Sequence, residues 1–160
     1  MPDERELIES FLRVAQLARL ELAEADVRSE VLAAPHRRPS RLPEGCQAVY
    51  AFVLGNTCLK VGKAGPKTAA RFISQHYGLN APSTLAKSIL AHRARVAPLL
   101  PAQRANQAMD LSEQNVGRWI ETNTSRTHVF LPTSAGPFAL SLLEAFMQCR
   151  FKPLFEGRTE

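Results

Sequence analysis

The chain is poor in cysteine and has no long apolar run, and both shortages narrow what it can be. Cys46, Cys58 and Cys149 are an odd number with no CxxC spacing, so neither a disulfide framework nor a zinc site is indicated. They read as three structural thiols, free cysteine in strand-like segments behaving as a small hydrophobe. No stretch approaches the roughly 20 apolar residues of a membrane span. The opening MPDERELIES is acidic and lacks the basic and apolar regions of a signal peptide. A cytoplasmic protein with no membrane partner is expected. There is no GxxxxGK[ST] phosphate loop, no internal repeat and no low-complexity tract.

What is present suits one domain with its own core and one accessory element: 160 residues, 45% hydrophobic and 22% charged. The net charge of +5 is unevenly spread. Residues 1–30 hold eight acidic and four basic side chains, whereas residues 31–160 hold sixteen basic and seven acidic ones. A basic body with an acidic leader suggests a polyanion-binding surface, the alternative being a merely solvated basic face.

Asp3 followed by Glu6 has the form of a capping box. Leu7, Phe11, Ala15, Ala18 and Leu22 then fall at helical spacing, so a helix is expected from about residue 4 to the mid-20s. Residues 1–33 form a helical leader in this reading. Residues 34–45, with three prolines and three arginines, form a linker, and residues 46–160 form the main domain. That domain opens with CQAVYAFVL and TCLKVG around Gly55-Asn56, a β-hairpin. Helices are expected over about 66–77, ending at Gly78, over 84–96, and within DLSEQNVGRWIETN, where Asp110 or Ser112 could cap. RTHVFLP (126–132) reads as a third strand, and Pro137 starts a helix running to about Phe151. The fold class is therefore α+β, a small three-stranded, mainly antiparallel sheet flanked by helices, with an extra N-terminal helix.

Two features carry chemistry. In the last helix Leu140, Leu143, Met147 and Phe151 make an apolar stripe that contains Glu144. A carboxylate there is costly to desolvate and needs a cation, either a structural arginine or a metal. In KVGKAGPKTAAR (60–71), Lys60, Lys63, Lys67 and Arg71 surround a glycine-containing strand-to-helix turn whose N–H groups suit phosphate. Solvated lysines are the plain alternative.

Together these pieces resemble the GIY-YIG nucleases, in particular the nuclease module of the bacterial excision-repair incision subunit. Ala48-Val49-Tyr50 matches the first motif at its tyrosine. Lys60-Val61-Gly62-Lys63-Ala64 matches YVGKA except at its first position, where some branches also carry Lys. Arg71 matches the family arginine, and LLEAFMQCRFKP (142–153) matches the glutamate helix and its proline. Glu156 stands where the family has a closing Asn. The likeness covers roughly residues 45–157, with a longer middle section than usual.

The resemblance implies an endonuclease that hydrolyses DNA phosphodiesters with one divalent metal, Mg²⁺ or Mn²⁺, held by Glu144. It implies that Arg71 clamps a phosphate oxygen. Tyr50 would orient or deprotonate water, its pKa lowered by Lys60, Lys63 and Arg71. Alternatively Lys60 is the base. His76 would assist or touch phosphate, while His36, His92 and His128 read as structural. Arg37, Arg38, Arg41, Lys67, Lys87, Arg93 and Arg95 are candidate DNA-backbone contacts. Trp119 reads as core, or as a base-stacking ring. The N-terminal helix would serve a homodimer or a protein partner. Two other functions stay open: a nucleic-acid-binding module that no longer cuts, and a partner-regulated subunit whose acidic leader covers the basic cleft.

One geometric expectation follows from strand parity. Paired residues share a face, so Tyr50 and Lys60 share one only if paired numbers sum to an even value. A two-residue Gly55-Asn56 turn pairs Leu54 with Thr57, an odd sum. A three-residue loop, Gly55-Asn56-Thr57, pairs Leu54 with Cys58 and places Phe52 opposite Lys60 and Tyr50 opposite Gly62. The even register is expected, against the local turn preference, with Gly62 leaving room beside the Tyr50 ring for a phosphate.

Overall fold

The computed structural model describes residues 3–156. Helix α1 (Glu4–Leu17) buries Leu7, Phe11 and Ala15, as the spacing predicts. Asp3 stands at its N-cap but makes no side-chain cap bond, so the expected capping box does not form. The helix also ends well before the mid-20s. Arg19 turns left-handed at φ 57°. The Leu20 N–H then returns to the Ala15 carbonyl and the Arg19 N–H to that of Gln16, a Schellman closure.

Strand β1 (Arg28–Leu32) follows, inside the segment expected to be a helical leader. It pairs antiparallel with β4 (Ser125–Pro132), which makes the sheet four-stranded rather than three-stranded. With β2 (Cys46–Leu54) and β3 (Thr57–Ala64) the sheet is antiparallel throughout, in the order β1-β4-β2-β3. Strands β2 (Cys46–Leu54) and β3 (Thr57–Ala64) form the expected hairpin. The region after it is more broken than expected. A 3-10 turn over Pro66–Thr68, helix α2 (Ala69–Ile73) and a second 3-10 turn over Gln75–Tyr77 replace one helix. Helices α3 (Leu85–Ala91, capped by Thr84) and α4 (Arg93–Val96) replace another. The break falls at His92, whose φ of −128° and ψ of 41° lie outside the helical region. Helices α5 (Ala105–Met109) and α6 (Val116–Asn123) complete the middle section. Asn115, rather than Asp110 or Ser112, stands at the N-cap of α6. Strand β4 (Ser125–Pro132) and helix α7 (Gly136–Phe151, Pro137 in its first turn) close the chain as expected.

Helices cover both faces of the sheet, which is why β2 is buried along nearly its whole length. On one face Val49, Ala51, Val61, Val129 and Leu131 pack with Leu140, Leu143 and Met147 of α7 and with Leu7 and Phe11 of α1. Tyr50, Phe52 and Phe130 meet Phe72, Leu85, Ile89, Trp119 and Ile120 on the other. The supposed leader thus belongs to the body. Phe11 meets Phe146 at 5.8 Å between ring centres, and Glu6 pairs with Arg150. The 34–45 segment is anchored through buried His36, which bonds the Glu121 and Thr124 carbonyls. Among the described residues no helix is long and apolar enough to cross a membrane.

The hairpin resolves the parity question in an unforeseen way. The tight turn is present: Leu54 faces Thr57, Val53 faces Cys58, and Gly55 sits at φ 58°. The three-residue loop is therefore absent. Leu59 bulges out of register instead, so that Phe52 faces Lys60 and Tyr50 faces Gly62. The even register is reached with the favoured turn intact.

Gly62 is needed for a reason opposite to the one expected. A Cβ there would lie 2.9 Å from both Cε2 and Oη of Tyr50; the ring itself fills the space assigned to a phosphate. Gly62→Ala is expected to lower unfolding free energy by about 1–3 kcal/mol in urea titration, the usual cost of overpacking. Gly65→Ala, with no atom within 4 Å of its Cβ position, serves as the control. Equal effects at the two positions would contradict the packing described.

Candidate active site

Strand β3 is an edge strand, and one cavity of about 140 Å³ wraps that edge. Tyr50, Lys60, Lys63, Arg71, His76 and Glu144 all line it, joined by Ser83 and Glu156. The parity of β3 divides the lining between the faces of the sheet. Lys60 lies opposite Phe52 on the α2 face, with Tyr50, while Lys63 lies opposite Val49 on the α7 face. Side chains from both faces reach one cavity because β3 has no outer neighbour there and Gly62 carries no side chain.

On the α7 face Lys63 Nζ stands 2.8 Å from Glu144 Oε2 and donates to Ser141 Oγ at 3.1 Å. Glu144 is half-buried, so its carboxylate is not the core charge that the apolar stripe suggested. On the other face Lys60, only 8% exposed, pairs with Glu156 at 3.2 Å. The segment after α7 places that glutamate. Leu154 and Phe155 N–H groups donate to the Cys58 and Leu59 carbonyls, each at 2.9 Å, so residues 154–155 run along the bulge. Arg71 is exposed and has no ion-pair partner among the described residues.

Tyr50 differs most from expectation. It is fully buried, and burial pushes its pKa above the usual tyrosine value against the pull of Arg126 and then Arg71. The lowered pKa expected from neighbouring cations is therefore reversed, since desolvation of the phenolate outweighs them. Hydrogen bonds define its role. The Leu85 N–H donates to His76 Nδ1 at 3.2 Å, so the ring proton of neutral His76 sits on Nε2. That N–H donates to Tyr50 Oη at 2.8 Å, and the Tyr50 hydroxyl donates to the Arg71 carbonyl at 3.3 Å. Burial foremost, then Lys60, Arg126 and Arg71, pushes His76 down to about 3. Tyr50 and His76 thus form a neutral brace that fixes the backbone carrying Arg71.

Arg126 escaped the sequence reading. Its guanidinium is wholly buried, lies 4.6, 4.9 and 4.7 Å from the Tyr50, Phe52 and Phe72 ring centres, and donates to Tyr77 Oη and the Phe72 carbonyl. Alternation along β4 could have shown it, because Arg126 and His128 share the face of Phe130. His128 is buried against Phe72 and bonds Glu30 through Nδ1 at 3.1 Å. His36 bonds Tyr77 Oη at 2.7 Å. Both histidines sit in the structure's interior, as read.

None of the residues expected to contact DNA lines the cavity. Arg38 pairs with Glu121 and lies 4.7 Å over the Tyr77 ring, and half-buried Arg93 donates to the Leu111 carbonyl at 2.9 Å, so both hold the fold together. Arg37, Lys67, Lys87 and Arg95 are exposed. Trp119 is in the core.

Among the described residues no three His, Cys, Asp or Glu side chains converge as a metal cluster. A single carboxylate still suits Mg²⁺, which keeps most of its water and takes few protein ligands. Glu144 fits that requirement: Lys63 holds Oε2, Oε1 has no partner among the described residues, and the group lines an open cavity. The chain matches no family model, no curated protein and no solved structure.

The buried histidines give a pH test. His76 and His128 are held at about 3 and His36 is also lowered, against an ordinary 6.5, in each case chiefly by burial. Between those values the unfolded chain binds protons that the folded chain refuses. Stability is therefore expected to fall as pH drops from about 6.5 toward 3. Urea unfolding across that window checks this, and His76→Gln should flatten the slope. A pH-independent stability would contradict the burial described.

Proposed function

We propose that the protein is a metal-dependent endonuclease acting on DNA phosphodiesters at the β3-edge cavity. The observation that carries this is convergence. Six side chains singled out in the sequence, from β2, β3, α2, the turn after α2, and α7, line one cavity. That cavity holds a cation, Arg71, with no ion-pair partner among the described residues, and a half-buried carboxylate within reach of solvent.

Glu144, with Mg²⁺ or Mn²⁺ as the fitting cation, would be the metal ligand. When bound, the cation supplies positive charge against the scissile phosphate and the departing 3′-oxygen. The remaining work falls to the chain. Arg71, whose charge no carboxylate among the described residues neutralises, donates to non-bridging phosphate oxygens as negative charge develops. Lys63 holds Glu144 in place and offers a second donor to the phosphate. The neutral Tyr50–His76 brace keeps the Arg71 backbone from moving. Exposed Lys67, four residues before Arg71, and Lys87 and Arg95 would bind the nucleic-acid backbone without reading its sequence.

A binding module that does not cut is favoured by one specific feature: both carboxylates of the cavity are already neutralised by lysines. Incubating DNA with the protein, with and without Mg²⁺ or Mn²⁺, separates the readings. Metal-dependent products are expected from the wild type. Glu144→Ala should abolish them while leaving the protein folded. Arg71→Ala should slow cleavage about 10²–10³-fold with a smaller loss of affinity. DNA held tightly without metal and never cut would establish the binding module.

A further inference from the structure

Hydrolysis needs an acceptor for the proton that the attacking water gives up. Most polar groups around the cavity are committed elsewhere. The Tyr50 hydroxyl donates to the Arg71 carbonyl, and its oxygen receives the His76 Nε2–H. His76 has its other nitrogen on the Leu85 N–H, which leaves no free lone pair. Arg71 is a permanent cation. Lys60 and Lys63 donate within ion pairs, and Glu144 is the carboxylate assigned to the metal.

Glu156 is what remains. It lines the same cavity, and its side chain is 23% exposed. Its position is secured from three sides. The Leu154 and Phe155 N–H groups tie the preceding backbone to β3, Lys60 Nζ holds Oε1 at 3.2 Å, and Gln148 Nε2 lies 3.5 Å from Oε2. A carboxylate has about four lone-pair sites, and these two partners leave acceptor capacity toward the cavity. Lys60 also orients the group without occupying both oxygens.

We infer that Glu156 is the general base of this site, taking a proton from the water that attacks the phosphodiester. This rests on the endonuclease reading. The water oxygen forms the new bond to phosphorus, and one of its protons passes to a Glu156 carboxylate oxygen. The bond from phosphorus to the 3′-oxygen breaks, its electron pair stays on that oxygen, and solvent protonates it. Glu156 then returns its proton to solvent.

The test uses the full chain, a labelled DNA duplex and Mg²⁺, with single-turnover cleavage and DNA affinity measured on each protein. Glu156→Gln keeps the size of the side chain and an acceptor for Lys60. It is expected to slow cleavage about 100-fold or more while affinity holds. Glu156→Ala is expected to be equally slow and to regain activity with added formate, but not with chloride at equal ionic strength. A merely structural glutamate would show no such rescue. Cleavage by Glu156→Gln at the wild-type rate overturns the assignment, as does a folded Glu156→Ala that formate leaves unchanged. A wild-type protein that cuts nothing removes the endonuclease reading and this inference together, an outcome distinct from the other two.

Discussion

Strand β3 carries one residue more than its partner can match, and the candidate site depends on how that mismatch is absorbed. With an unbroken ladder from the Gly55-Asn56 turn, Lys60 would face away from Tyr50. The bulge at Leu59 corrects the register by one residue and puts Lys60 opposite Phe52. It also presents the successive Cys58 and Leu59 carbonyls to the Leu154 and Phe155 N–H groups, which bring Glu156 to Lys60. One inserted residue therefore fixes both members of an ion pair whose partners lie far apart in the chain. Bulges recur where a strand must re-aim a side chain beside a functional site, and this one re-aims a lysine.

Behind the cavity lies a second constraint. Arg126 is a fully buried cation with no carboxylate partner among the described residues, which would be severely destabilising if nothing compensated it. Three aromatic faces, one hydroxyl and one carbonyl surround the guanidinium instead. Its position against the Tyr50 ring joins the core to the site: the same ring stacks on Arg126, fills the gap at Gly62 and braces the Arg71 backbone. Tyr50 is thus a structural keystone of the cavity wall and is fully buried.

Much of this was legible from residue types and spacing. The hairpin, the Pro137 helix start, Lys60, Lys63, Arg71 and Glu144 carry local signals, while Tyr50 and His76 came from the family resemblance. The parts that were not legible depend on contacts distant in the chain. Strand β1 is short, charged and half-exposed, as an edge strand tends to be, so RSEVL showed no apolar period. A bulge costs a single residue and leaves no trace in composition. Glu156 enters the cavity through two backbone hydrogen bonds to β3. The burial that raises the Tyr50 pKa comes from helices packed by the middle section of the chain, and cationic neighbours in the motif pointed the other way.

A divalent cation held by Glu144 at the β3 edge is the proposal on which the site's chemistry rests, and testing it needs no substrate. Mn²⁺ added to isotope-labelled protein broadens the NMR signals of nuclei near it. The expected result is broadening centred on Gly62, Lys63, Ser141 and Glu144, absent from the Glu144→Ala protein and weak at the distant Gly55-Asn56 turn. Broadening centred elsewhere, or unchanged by Glu144→Ala, would contradict the claim.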